Sequence, residues 1–558
     1  MKKKFTMLFA LLLSLVLLST GCVPKYTAPA ETNVPVVTPE PLAAQEEIQD
    51  DGQPFAYKVS GTFADNMVIQ RDQYVNVYGF SDKVGGIVYA DFMGQTRYAQ
   101  VDENGEWLIQ FDAQKASTEP TTLKVYNKSE GPEGGQTFSN ILIGDVWIIA
   151  GQSNVQVSLA GTLDNNPEFE ATISDKDNIR LFTQYYWDYP SFFGYSYEDE
   201  EKGISINIEA DKSTQKDIPD YSDAPWLEDW KAAEGASEYS RNTWTQATVE
   251  TAKRFSAVGY YFAKQVADNT DVPIGMIMMT AGGAAICDFM PPQYIDEAKH
   301  NHGLSLFKAT EIWNSLMAPF QNTRVAGFLW YQGEANEGYY DIYAEDLQDF
   351  VGMMRKIWGE NMPFYSVQIT SHNDTAGSWP NIAKLRFAQT ASLDLIDNYY
   401  LICAMDHGSN ALDTDWAHPK NKKHVGDRLA YIALSKIYQP EKYTLEYYGS
   451  PAVAKVDVKD GYAYVYFKYV GDGLQTSDGG KEVLGFYSQD ALSQLEATIV
   501  SKNCVKVILK DRMGNSITGN NFSLVYGNNA MADQTSCNLQ NSNEIGALAF
   551  SYKYKIDK

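Results

Sequence analysis

Ile141-Leu142-Ile143-Gly144-Asp145-Val146-Trp147-Ile148-Ile149-Ala150, running on into Gly151-Gln152-Ser153-Asn154, does not alternate between apolar and polar residues. A strand with one solvated face alternates with period two, so this nearly unbroken apolar run predicts a strand covered on both faces, as in parallel sheets. Three more runs of the same kind follow, at 274–280, 325–331 and 364–370, with helical patterns between or after them. Before the first of these three, Phe255, Val258, Gly259 and Phe262 fall on one helical face. Strand, helix, strand repetition predicts an α/β domain over 141–440, a parallel sheet flanked by helices, with its reactive groups at the carboxyl ends of the strands.

On either side the rhythm is different. Residues 55–140 read as short strands separated by turns, for example Tyr74-Val75-Asn76-Val77-Tyr78 and a tight turn at Asn104-Gly105, which predicts a small N-terminal β-sandwich. Strand-and-turn patterning returns over 441–558, as in Tyr462-Ala463-Tyr464-Val465-Tyr466-Phe467, and predicts a C-terminal β domain. Residues 183–242 form an aromatic and acidic insertion containing Tyr185, Tyr186, Trp187, Tyr189, Phe192, Phe193, Tyr195 and Tyr197. Such rings stack on the C–H faces of sugars, and they equally pack a long loop onto a domain surface.

At the N-terminus, Lys2 to Lys4 precede an apolar run from Phe5 to Leu18 that is shorter than the roughly 20 residues needed to cross a bilayer. It ends at Ser19-Thr20-Gly21-Cys22, which resembles a bacterial lipoprotein signal over 1–22 with lipidation at Cys22. The expectation is a protein on the extracellular side of the cell membrane, held only by an N-terminal lipid anchor, with ordinary secretion as the alternative. Residues 23–54, rich in Pro, Ala, Thr and Glu, read as a flexible tether.

The chain is 44% hydrophobic and 13% aromatic, enough for several packed domains, and its net charge of −26 argues against a nucleic-acid partner. Besides Cys22 there are Cys287, Cys403, Cys504 and Cys537, whose spacing fits neither a zinc site nor a redox motif. Cys504 and Cys537 either pair or serve as small buried hydrophobes.

Ser153 follows the first buried strand directly, where a turn aims the backbone N–H at a ligand and where an acyl-transfer nucleophile belongs. Gly-x-Ser-x-Gly is absent around it, which argues against an α/β-hydrolase elbow. A serine needs a positioned base, and the six histidines are His300, His302, His372, His407, His418 and His424. Asp415 precedes His418 by three residues, close enough on a tight loop to orient its ring; Asp406-His407 is the rival pair. Gly282-Gly283 follows the second run and offers an N–H to an oxyanion, while Gln332-Gly333-Glu334-Ala335-Asn336 follows the third and offers a side-chain amide. Turns and buried polar structure are the competing accounts.

With these residues in view, the sequence resembles the sialate O-acetylesterase family of the SGNH hydrolase superfamily. The resemblance lies in Gly144-Asp145-Val146-Trp147 leading into Gly151-Gln152-Ser153-Asn154, in Phe255 to Tyr260, in Trp330 to Asn336, and in His418-Pro419 leading to Val425 to Ala430. It extends to Asp65–Arg71 upstream and to Asn538-Leu539 and Gly546–Phe550 downstream. It implies an SGNH-hydrolase-like, flavodoxin-like α/β fold and a Ser153, His418, Asp415 triad. The implied oxyanion hole consists of the Ser153 and Gly283 N–H groups with an amide from Gln332 before Asn336. The implied chemistry is a two-step acyl transfer needing no metal or cofactor, on an O-acetylated carbohydrate. O-acetylated sialic acid comes first, then acetylated xylan or mannan; an esterase for lipid or peptidoglycan acetyl groups and a carbohydrate-binding protein without turnover are the other readings. Ala284 stands where the family often has Thr, and Ala417 where it commonly has Ile.

Overall fold

The computed structural model describes residues 39 to 555 apart from 47, 175–177, 185–194, 200–203, 209–242, 301–306, 308, 373–378, 409–416, 489–493, 511–513 and 518–520, and gives only the backbone at 164–165, 184, 195–199, 204–208, 521–522 and 554–555. The lipoprotein signal with Cys22, Asp415 and most of the aromatic insertion, Trp187 included, therefore lie outside the described residues.

The N-terminal region holds an antiparallel sheet of Tyr57–Val59, Val75–Ser81 and Glu106–Phe111, in that order. Beside it, Ile87–Phe92 pairs with both Gln95–Gln100 and Ser117–Asn127. The Asn104-Gly105 turn is present, with Gly105 at φ 79° and the Asp102 carboxylate accepting from the Asn104 and Glu106 N–H groups at 2.9 Å each. It joins strands of two different sheets, since 106–111 pairs with 75–81.

Strand β1 (Val68–Gln70) runs parallel to the start of the apolar half of β2 (Gln136–Gly151). The 16 residues of β2 begin in the N-terminal sheet, paired with Ser117–Asn127, and finish at the centre of the main sheet. That sheet also contains β3 (Ile179–Gln184), the short β4 (Trp244–Gln246), β5 (Ile274–Thr280), β6 (Gly327–Tyr331), β7 (Phe364–Gln368) and β8 (Tyr399–Cys403), in the order 4-3-5-2-6-7-8. All pairs are parallel except β4 with β3, so the sheet is mixed at one edge. Every residue of β5, β6 and β7 is buried, as their unbroken apolar runs require.

Strand β2 is flanked by β5 on one side and β6 on the other, so the chain reverses its direction of travel across the sheet there. In open α/β sheets the crevice at such a switch point, beyond the carboxyl ends, is where ligands bind. Four longer helices pack around the sheet: α1 (Ala257–Ala267), α2 (Tyr343–Trp358), α3 (Ile382–Ala391) and α4 (Lys423–Ala433). Ser256 starts α1 by accepting from the Gly259 N–H at 3.1 Å.

The C-terminal region is two antiparallel layers. One is β9 (Ala452–Lys459), β10 (Tyr462–Lys468), β11 (Ala497–Ser501) and β12 (Cys504–Ile508), in the order 9-10-12-11. The other is Phe486–Ser488, Asn521–Tyr526 and Phe550–Lys555. Phe467, Phe486, Tyr526 and Phe550 meet between the layers. Cys504 and Cys537 are buried and not joined by a disulfide, and Cys287 and Cys403 are likewise buried and outside any disulfide. The region is stitched to the main sheet: Gln368 bonds both to and from the backbone of Ala549, at 3.1 and 2.8 Å, and fully buried Arg386 donates to the carbonyls of Asn529 and Ala530 at 2.7 and 2.8 Å. No helix among the described residues is long and apolar enough to cross a membrane.

Candidate active site

The end of β2 approaches the end of β6 so closely that a Cβ on Gly151 would lie 2.1 Å from the Tyr331 carbonyl oxygen, and Gly151 takes φ 143°. Only glycine fits both conditions. The backbone then turns sharply and begins the short helix Ser153–Gln156, which leaves Ser153 partly exposed at the carboxyl edge of the sheet. Its Oγ lies 2.8 Å from Nε2 of His418, the hydrogen-bond distance a base needs to take the hydroxyl proton.

The rival histidine is occupied elsewhere. Asp406 accepts both arms of Arg428 at 2.7 and 2.6 Å and the Gly546 N–H at 3.0 Å, and the Arg428 guanidinium holds its carboxyl well below the usual range in spite of burial. His407 packs against the ring of buried His424, with centroids 4.5 Å apart. His300 bonds Asp349 at 2.9 Å. His372 lies in the core, where burial and then the charge of Arg386 push it down to about 3, so it stays neutral.

Gly282 sits against the serine, where a Cβ on it would lie 3.9 Å from the Ser153 Cβ, and the next residue, Gly283, has φ 77°. Among the described residues, neither the Ser153 nor the Gly283 backbone N–H is engaged in a hydrogen bond. These are two unused donors, one on the serine itself and one on the Gly282-Gly283 turn that packs against it.

The side-chain amide expected first from Gln332 is not available. Its Nε2 donates both hydrogens, to the Ala284 carbonyl at 3.1 Å and to Asn336 Oδ1 at 2.8 Å, and its Oε1 accepts from the Tyr343 hydroxyl at 3.0 Å. Asn336 instead is oriented by this network. Its Oδ1 accepts from Gln332 and from the Ile286 N–H at 3.0 Å, while its Nδ2 donates to nothing among the described residues.

Three residues assigned no role from sequence complete the arrangement. Asn154, fully buried and next to the serine, donates to Glu334 Oε1 at 2.6 Å and to the Ala417 carbonyl at 3.1 Å, and accepts from the buried Lys422 ammonium. One amide thus ties the serine turn to the residue just before His418 and to a lysine four residues after it. Burial pushes the Glu334 carboxyl up, opposed by a backbone hydrogen bond, the Asn154 amide and the nearby charges of His418 and Lys422. Asn154 and Glu334 each stand just after a strand end, which was their only sequence signal; Lys422 had none. Among the described residues no group of three or more His, Cys, Asp or Glu side chains is placed to hold a metal ion.

The chain is similar to known carbohydrate esterases. Residues 214–435 match the family model described as "Carbohydrate esterase, sialic acid-specific acetylesterase", a segment that contains Gly283, Gln332, Asn336 and His418 but not Ser153. The sialate O-acetylesterase of Pongo abelii is 23% identical over 362 residues, covering 61% of this chain and 62% of the relative, and that of Homo sapiens is 22% identical over 363 residues with the same shares. The chain thus spans about three fifths of these relatives' length. A carbohydrate acetylesterase from Xanthomonas citri has a similar solved structure, with a TM-score of 0.68 and 25% identity over 89% of this chain and 99% of that one.

Proposed function

We propose that the chain, which is similar to sialate O-acetylesterases and matches a sialic acid-specific carbohydrate esterase model over residues 214–435, hydrolyses acetyl esters on sugars through Ser153, His418 and Asp415. The observation that carries this reading is the 2.8 Å contact between Ser153 Oγ and His418 Nε2 at the switch point of the sheet. Ser153 attacks the acetyl carbonyl as His418 takes its proton, and the carbonyl oxygen becomes an oxyanion facing the N–H groups of Ser153 and Gly283 and the Nδ2 of Asn336. His418 then gives the proton to the departing sugar oxygen, leaving an acetyl-enzyme. Water, deprotonated by His418, releases acetate and restores the serine. Asp415 has the role of holding the ring through Nδ1.

O-acetylated sialic acid is the first substrate proposed, on the strength of the family and of the curated relatives' names; acetylated xylan and mannan are the alternatives. The deciding experiment measures acetate release from each of the three by the chain from Gln53 onward, beside its Ser153→Ala variant. Release that vanishes in the variant supports the reading and names the substrate, whereas silence even on an aryl acetate refutes it. We also propose that the protein is anchored outside the cell through a lipid on Cys22. A Cys22→Ser variant should lose incorporation of labelled palmitate and leave the membrane fraction; an unchanged membrane association would refute the anchor.

A further inference from the structure

The outer face of the C-terminal sheet carries side chains that neither its core nor the catalytic site uses. In β10 the inward residues Ala463, Val465 and Phe467 are buried, while Tyr462, Tyr464 and Tyr466 lie on the opposite face and are half-exposed. β10 is an interior strand, lying between β9 and β12. The rings therefore form a row across the middle of the sheet, with alternate residues about 6.8 Å apart. Tyr462 and Tyr464 have ring centroids 6.5 Å apart, and their hydroxyls bond to nothing among the described residues.

Register places lysines around this row. Lys455 pairs with Tyr466, Lys459 with Tyr462 and Lys506 with Tyr464, all on the same face, with Asp457 opposite Tyr464 and ion-paired with Lys455 at 2.7 Å. The Lys506 ammonium sits 3.6 Å from the Tyr462 ring centroid and the Lys455 ammonium 4.3 Å from that of Tyr466, which holds a cation at each end of the row. Lysines on the edge strand β9 also discourage edge-to-edge pairing. Edge protection, however, calls neither for three tyrosines in an interior strand nor for Lys506 on β12. In a chain with net charge −26, a face of tyrosines framed by ammonium groups complements a ligand with apolar faces and negative charge.

We propose that this face is a second, non-catalytic binding platform for a glycan chain bearing acidic sugars. Tyrosine rings stack on the C–H faces of the sugar rings, and Lys459 and Lys506 receive the carboxylates, Lys455 being paired with Asp457. This platform does not depend on the chemistry at Ser153.

The test uses the chain from Val23 onward in a Ser153→Ala background, with polysialic acid and polygalacturonate as acidic probes and unsubstituted xylan as the neutral one, read by calorimetry and by retardation in probe-loaded gels. Both acidic polymers should bind, more weakly as salt rises, and xylan should bind much less. Tyr464→Ser with Lys506→Gln should weaken acidic binding about tenfold. The same pair in an active Ser153 background should leave aryl acetate turnover unchanged, which separates this platform from the esterase reading. Should Tyr464→Ser lower the melting temperature, exposed Lys459→Gln with half-buried Lys506→Gln carries the test instead. Equal binding of xylan, no binding of either acidic polymer, or full binding by the folded variants would each overturn the proposal.

Discussion

Asn336→Asp isolates the oxyanion role from the structural one. The Oδ1 of Asn336 accepts from the Ile286 N–H at 3.0 Å and from Gln332 Nε2 at 2.8 Å, and an aspartate keeps both bonds, which also favour its ionised form. What changes is the Nδ2 position, where a donor becomes an acceptor. Removing one oxyanion donor costs about 10²- to 10³-fold in kcat, roughly 2.7–4 kcal/mol of transition-state stabilisation. The substituted oxygen adds repulsion, so the loss should reach at least the lower figure while KM changes little, because the charge develops only in the transition state. Asn336→Ala should match it in kcat but also lower stability by about 1–3 kcal/mol, since it orphans two buried N–H donors. The assay is steady-state turnover of an aryl acetate, paired with urea unfolding of each variant. If Asn336→Asp turns over like the parent while Gln332→Glu loses the activity, the assignment made from the hydrogen-bond network is wrong.

Ser153→Ala and His418→Ala should each lower kcat by about 10⁴-fold or more with unfolding midpoints unchanged, and Asp415→Ala should cost less; a His418→Ala variant with substantial turnover would remove the base from the mechanism. Asp406→Asn leaves the Arg428 guanidinium buried without its counter-charge, so urea unfolding should show a loss of about 3–5 kcal/mol. Because Arg428 depresses the Asp406 carboxyl, the contribution is complete above the ordinary carboxylate range and fades only as pH falls below it, and the variant should lack that acid-side slope. His372 has the opposite origin but the same sign: its value falls from 6.5 to about 3, so the unfolded chain takes up a proton that the folded one refuses. Stability should drop by about 1.4 kcal/mol per pH unit for this group between those values, and His372→Gln should reduce the measured slope by one proton.

The strands legible in the sequence were those whose burial on both faces leaves an unbroken apolar run, β2, β5, β6 and β7. β3 and β8 escaped because their side chains mix polarity, with buried Arg180 inside β3 and paired tyrosines opening β8. Strand order was not legible either: β3 follows β2 in sequence, yet β5 lies beside β2, a choice made by packing across the whole sheet. At the site, Ser153 was recognisable from its place after a buried strand and His418 from the short spacing to an acid. The choice between Gln332 and Asn336 was beyond spacing, because it depends on where the Ala284 carbonyl and the Tyr343 hydroxyl arrive, 48 residues before and 11 after Gln332.

The Asn154 network explains why the histidine can stand on a loop and still meet the serine. A loop alone gives a base no fixed address, but here Asn154 grips the carbonyl of Ala417 on one side of His418 and the ammonium of Lys422 on the other, from a position adjacent to Ser153. Glu334 in turn bonds the same amide and so keeps Asn154 in place across 180 residues of sequence. Burying a carboxylate and an ammonium carries a desolvation cost that an apolar pair would avoid. The charges nevertheless oppose one another around a single amide, and that amide fixes the one distance that the proposed acyl transfer requires. A hydrophobic replacement of equal volume could fill the space, but it would offer neither the Ala417 carbonyl a donor nor Lys422 an acceptor, and the loop would lose its register with the serine.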